Sequence, residues 1–217
     1  AKKLIQEQYE LFNKELVPAL RQEGIFFYPR RQWTDQQRAW IESYFDRELL
    51  PILTPLGLDP AHPFPRLLNK SLNFVVSLSG KDAFGRASGM AVVQAPRILP
   101  RVVKLPEELS EGHGFVLLSS ILHAYVHKLF PGMDVEGCYQ FRLTRNSELT
   151  VDEEDLTNLR AAVQTELRER QYGDEVRLEV ADNCPPHVAE FLLAQCNLSP
   201  NELYQVVGPV NLVRLMA

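Results

Sequence analysis

Between Thr54 and Pro65 the chain reads Thr-Pro-Leu-Gly-Leu-Asp-Pro-Ala-His-Pro-Phe-Pro, with prolines at Pro55, Pro60, Pro63 and Pro65. Proline fixes φ and carries no amide proton, so this stretch can neither continue a helix nor lie inside a sheet. It predicts an ordered, extended crossing, and everything on either side has to be organised around it. On its N-terminal side the pattern is helical. Thr34 followed by Gln37 forms a capping-box pattern, and Trp40, Ile41, Tyr44, Phe45 and Leu49 follow at helical spacing until Pro51 stops them. Further upstream, Ile5, Tyr9, Phe12, Leu16 and Leu20 form the apolar stripe of a long first helix.

Beyond the crossing the period changes from helical to alternating. Leu72, Phe74, Val76 and Leu78 alternate with Asn73, Val75 and Ser77, which predicts a strand with one strongly apolar face. A turn near Gly80 to Gly85 and a second strand from Met90 to Gln94 complete a predicted hairpin. A short apolar run at Phe115 to Leu118 leads into a helix through Ile121, Leu122, Tyr125, Val126 and Leu129, ended by Pro131-Gly132. Tyr139, Phe141 and Leu143 then predict a strand. The final third repeats the pattern. Thr150 and Glu153 cap a helix through Leu156, Leu159, Val163 and Leu167, with Gly173 at its stop. Val176, Leu178 and Val180 predict a strand, His187 to Gln195 a short helix, and Ser199-Pro200-Asn201-Glu202 a third capping box with proline at the first helical position. The expected fold is α+β, with helices packed on mixed or antiparallel sheets and preceded by a long N-terminal helix.

Composition narrows the chemistry. With 217 residues, 45% hydrophobic and 24% charged, the chain can bury an ordinary core. A net charge of −5 and a pI near 5.6 give no global attraction for polyanions, so nucleic acid is not an expected partner and a phosphate-rich ligand would need a local basic patch. Three cysteines without CxxC spacing suggest neither a disulfide framework nor a zinc site. A reducing cytoplasm suits them, and no apolar run is long enough to predict a membrane span. The first helix lacks an initiator methionine and an N-cap, and the chain stays apolar through Met216-Ala217. Both ends read as cut from a longer chain.

Few motifs point to catalysis. His123 and His127 are spaced to share a helix face, but no glutamate follows the first as a zincin requires, so a polar helix edge is expected. The run Asp152-Glu153-Glu154-Asp155 suits a helix N-terminus without invoking magnesium. No Walker loop, GxSxG or Cys/His arrangement is present. Two basic segments stand out. Arg66 and Lys70, with Asn69 and Asn73, flank the chain reversal after the prolines, and in Phe141 to Leu149 Arg142 lies on the predicted strand while Arg145 follows it, where its planar fork could be held rigidly enough to grip a phosphate.

The same residues carry a family resemblance. Asp59-Pro60-Ala61-His62-Pro63-Phe64-Pro65 with Asn69-Lys70-Ser71-Leu72-Asn73, then Leu129-Phe130-Pro131-Gly132-Met133, then Phe141 to Leu149, and finally Tyr172 to Val180 resemble, in order, the histidine-autophosphorylated polyphosphate kinases of bacteria. Leu203 to Val210 is similar to that family's lead into its catalytic half. The resemblance implies a head or middle domain over residues 24–217, preceded at 1–23 by the last helix of the N-terminal domain. The two phospholipase D-like C-terminal domains would lie outside the chain. It also implies, for the whole enzyme, reversible transfer of the terminal phosphate of ATP to inorganic polyphosphate, with magnesium, through a phosphohistidine located elsewhere. By that resemblance His62, His113, His123, His127 and His187 are not nucleophiles, no catalytic or metal-binding residue falls in this segment, and no cofactor is expected on the segment alone. Its partners would be the other domains, further protomers of a dimer or tetramer, and polyphosphate. Arg66, Lys70, Arg142 and Arg145 are the candidate contacts to that chain. The expected location is the cytoplasm, with membrane association left open. The alternatives are a non-catalytic assembly module whose basic residues form salt bridges, and a free-standing nucleotide- or anion-binding protein.

Overall fold

The computed structural model describes residues 1–59, 62–81, 89–146 and 174–215. The first helix forms as two segments, α1 (Lys2–Leu11) and α2 (Val17–Gln22), joined without a break by a π turn at Phe12–Leu16. The wider winding has a local cause. Pro18 offers no amide proton and its ring crowds the carbonyl one turn back, so the turn ahead of it loosens. The same device recurs at the end of α3 (Asp35–Tyr44), where a π turn at Phe45–Leu49 precedes Pro51. The Thr34 capping box is present in full: Thr34 Oγ1 accepts from Gln37 N at 3.2 Å, and Gln37 Oε1 accepts from Thr34 N at 3.0 Å.

Two sheets follow. Strands β1 (Ile25–Phe27), β5 (Val102–Lys104) and β6 (His113–Leu117) form a small sheet in the order β1-β6-β5, with β1 parallel to β6. The larger sheet takes β2 (Pro55–Leu58), β3 (Asn73–Gly80), β4 (Met90–Gln94), β7 (Met133–Arg145), β8 (Glu175–Ala181) and β9 (Leu203–Val206), in the order β2-β4-β3-β7-β8-β9. All its pairings are antiparallel except the last, β8 with β9. The fold is thus α+β with mixed sheets. Pro55 begins an edge strand, the place where a missing ladder donor is tolerated.

Both faces of the large sheet are covered. Phe74, Val76 and Leu78 pack with Ile41, Phe45 and Leu49 of α3 and its extension, and with Ile121 and Leu122 of α4 (Leu118–Tyr125). On the opposite face Val75, Phe141, Leu143, Leu178 and Val180 pack with Val188, Leu192 and Leu193 of α5 (Pro186–Gln195). β3 therefore differs from the half-buried strand its alternation predicts: Val75 is as buried as its neighbours because α5 covers the second face. Each fully buried side chain of this size contributes roughly 1.5–3 kcal/mol.

Three sequence expectations change. α4 ends at Tyr125 and tightens to a 3₁₀ turn at Val126–Leu129, so His123 and His127 do not share one helix face. The Ser199 capping box forms but opens a single 3₁₀ turn at Pro200–Glu202, because the next residues pair with β8 as β9. The small sheet adds β1 and β5, three-residue strands too short to show a period. The helix expected through Leu156 to Leu167 and the turn after Lys81 lie outside the described residues. No helix among the described residues is long and apolar enough to cross a membrane.

Candidate functional site

The loop that carries Arg66 and Lys70 meets the end of β7, which carries Arg142 and Arg145, and the four basic residues are there in two different states. Leu67 is buried against the α5 core and anchors the loop. Lys70 N donates to Leu143 O at 2.8 Å, and Asn69 Oδ1 accepts from Arg145 N at 2.9 Å, so the loop is laid along β7 by one backbone bond and one side-chain bond to the β7 backbone. Asn69 O is held from the other side by Arg97 Nη2. Ser71 Oγ closes the reversal on Leu68 O at 2.7 Å. Arg66 and Lys70 point their side chains into solvent, and among the described residues neither has an ion-pair partner. Lys70 holds φ at +55°, a left-handed conformation uncommon for a residue other than glycine, asparagine or aspartate.

Arg142 and Arg145 are instead committed inside the fold. Arg142 faces its cross-strand partner Glu179, with Nε 2.5 Å from Oε2. The two atoms meet off the N–H axis, so the contact is an ion pair rather than an aligned hydrogen bond. Arg142 Nη1 donates to Asn211 Oδ1 at 2.8 Å. The other Glu179 oxygen takes Arg177 Nη2 at 2.5 Å, and the Arg177 guanidinium lies over the Tyr204 ring at 4.5 Å. Glu179 is only 3% exposed. Burial lowers the pKa of Arg142 while Glu179 opposes that fall, and burial with the nearby Glu179 charge raises the Tyr9 phenol. Arg145 is paired at 2.7 Å with Glu175 and donates from Nε to Leu67 O at 3.1 Å.

The histidines are scattered. His62 lies against Asp59 at 3.2 Å, and His113, His127 and His187 are exposed on separate elements. His123 Nδ1 takes a hydrogen bond from Arg30 Nη1 at 2.9 Å, and its pKa is depressed, first by burial and then by that guanidinium. Among the described residues no group of three or more His, Cys, Asp or Glu side chains comes together to hold a metal ion, so no step through magnesium is assigned to them. Cys138, Cys184 and Cys196 are buried and unbridged. Two grooves, about 740 Å³ between α1 and β9 and about 470 Å³ beside β2, are lined by other residues than the four basic ones.

Sequence reasoning did not single out Glu175, Glu179 or Asn211. The available signal was the alternation of Glu175, Arg177 and Glu179 on β8, whose charges complement β7 only once the register is known.

The comparisons agree with this architecture. The solved polyphosphate kinase of Porphyromonas gingivalis superposes with a TM-score of 0.76 over 99% of this chain and 31% of its own, at 21% identity, a likeness of fold. The polyphosphate kinase of Neisseria meningitidis serogroup B is 73% identical over the whole chain and 32% of its own length. That of Pseudomonas syringae pv. tomato is 56% identical over 98% of the chain and 29% of its own. The chain spans about a third of the length of the curated relatives it matches. Residues 36–217 match the polyphosphate kinase middle domain, and the chain belongs to that family.

Proposed function

We propose that this chain is the head domain of an ATP–polyphosphate phosphotransferase and that it flanks the path of the polyphosphate chain. In this reading the reaction moves the terminal phosphate of ATP, with magnesium, through a phosphohistidine outside residues 1–217. Phosphoryl transfer needs an in-line nucleophile and fixed positive charge around the moving group. In this reading the segment supplies charge, and the nucleophile comes from outside it. Residues 1–23 belong to the closing helix of the preceding domain and 24–217 to the head; Gly24, at φ +76°, supports a boundary there by ending the helix. The assembled enzyme is a cytoplasmic dimer or tetramer.

The observation that carries this reading is the division among the four basic residues. Arg66 and Lys70 present exposed charges from a loop pinned at Asn69, Lys70 and Ser71, a rigid display suited to a polyanion. Arg142 and Arg145 serve the site indirectly, as the buried frame on which that loop rests. In the full-length protein, the Arg66→Ala/Lys70→Ala double variant should raise KM for polyphosphate several-fold with little change in the melting temperature. An unchanged KM overturns the reading.

A second reading, a pure assembly module, draws support from the same ion pairs: Arg142 and Arg145 are each held against a carboxylate of β8, Glu179 and Glu175. It predicts that none of the four substitutions alters KM for polyphosphate, while Arg145→Ala loosens the oligomer.

A further inference from the structure

Among the described residues three other than glycine take positive φ: Lys70 at 55°, Asn197 at 51° and Asn211 at 71°. Two of them are bonded to each other. Asn211 Nδ2 donates to the backbone carbonyl of Lys70 at 3.0 Å, although 141 residues separate them. Asparagine tolerates the left-handed region through its short polar side chain; lysine has no such excuse and adopts it at a cost. Something must hold Lys70 there. Its amide is tied to Leu143 O, and its carbonyl is tied to Asn211, so the residue is clamped on both sides of its own Cα.

Asn211 is itself fixed. It is 4% exposed, and its Oδ1 accepts from Arg142, whose guanidinium is set by Glu179. A continuous path thus runs from a buried carboxylate through a guanidinium and a carboxamide to the backbone of an exposed lysine. The segment around Asn211 is stitched down elsewhere too, by Tyr9 Oη donating to Pro209 O at 2.9 Å and by Val210 N donating to Gln140 Oε1 at 3.4 Å.

We infer that Asn211 is a positioning residue for Lys70, holding that lysine in its left-handed conformation so that its ammonium is presented to an anionic phosphate chain. The inference deepens the reading of the basic loop given above and rests on it for the identity of the ligand. It makes Asn211 responsible for where the charge sits, not for the charge. Both side-chain functions are needed. Aspartate would keep the acceptor for Arg142 but turn an anionic oxygen toward the Lys70 carbonyl, and leucine would fill the space with neither.

The test uses the full-length protein with three changes: Asn211→Gly, Lys70→Ala and both together. Glycine keeps the positive φ at position 211 while deleting the side chain. In Asn211→Gly, hydrogen exchange at the Lys70 and Ser71 amides should quicken roughly three- to tenfold, the scale of one lost hydrogen bond, while α3 amides keep their rates. KM for polyphosphate should rise by a similar factor with kcat nearly unchanged, and Asn211→Gly should add nothing to Lys70→Ala in the double variant. Unchanged exchange at Lys70 overturns the positioning role. So does an unchanged KM in Asn211→Gly when Lys70→Ala raises it, or additivity of the two changes. If Lys70→Ala leaves KM unchanged while exchange still quickens, the clamp stands and the polyphosphate reading of the loop fails.

Discussion

Arg142 and Arg145 stand three residues apart on β7 and project to opposite faces of the sheet. The first meets Glu179 beside Tyr9, and the second meets Glu175 and Leu67 O beside the α5 core. The odd spacing on β7 separates the two arginines, and a register shift between Thr144 and Arg145, which skips Val176, sets Glu175 opposite Arg145. The two arginines therefore cannot grip one ligand together, and each has instead been given its own carboxylate.

Removing the carboxylate on the first face should be costly. Glu179→Ala leaves Arg142 and Arg177 facing each other around a buried vacancy, and breaking a buried pair from one side typically costs about 3–5 kcal/mol. Urea unfolding of the variant should show a loss on that scale. The surface pair Lys3–Glu7 offers a control, since its partners are largely exposed and Glu7→Ala should change the midpoint very little. A small effect at Glu179 would mean that the two guanidiniums find water when the carboxylate leaves.

On the second face the shape of the cation matters as well as its charge. Arg145 spends Nη2 on Glu175 and Nε on Leu67 O, a fork that lysine cannot reproduce. Arg145→Lys should keep part of the ion pair and lose the backbone bond, destabilising by about 1–2 kcal/mol. Arg145→Ala should cost more, about 3 kcal/mol, because Glu175 loses its partner. Equal losses for the two variants would remove the role assigned to the Leu67 carbonyl.

The His123 ring accepts from Arg30 and is neutral in that arrangement; protonation would set two donors and two positive charges face to face. Its pKa in the folded chain lies below the ordinary 6.5, through burial and then through Arg30. The unfolded chain consequently takes up the proton first as pH falls. The stability that the neutral ring contributes is complete above about pH 6.5 and is lost progressively as pH drops through the lower folded value. Thermal melts at about pH 7.5 and about pH 5.5 should show a smaller difference in His123→Asn than in the parent, because asparagine can still accept from Arg30 and does not titrate. An identical pH dependence in the two proteins would rule His123 out as its source.

Burial pushes the thiols of Cys138 and Cys196 up to about 12 and that of Cys184 to about 11. Thiolate, the reactive form, is therefore scarce at neutral pH. A thiol-specific reagent should label almost nothing in the native protein and all three residues after denaturation. Prompt labelling of a native cysteine would show an opening of the α5 core or of β7.

Local signals served the sequence reading well. The Thr34 capping box and the period of β3 are written within a few residues, and both appear in the structure. The proline crossing was likewise legible, because a missing amide proton forces Pro55 to a sheet edge whatever surrounds it. Long-range pairing was not. Ser199 and Glu202 form their box, yet the parallel ladder with β8 turns the following residues into a strand. The states of Arg142 and Arg145 depended on the register of β8, and that of Lys70 on an asparagine 141 residues away. The basic residues were visible in sequence, whereas the division between the exposed pair and the committed pair was not.

The bond from Tyr9 Oη to Pro209 O spans 200 positions of chain. During synthesis at about 5–20 residues per second, the first helix would wait on the order of ten to forty seconds before its acceptor existed. Asn13, which donates to Val207 O, waits nearly as long. Over that interval Tyr9 and Asn13 are without these two acceptors, and the seam between the first helix and residues 207–209 closes late, as an event in time as well as in space.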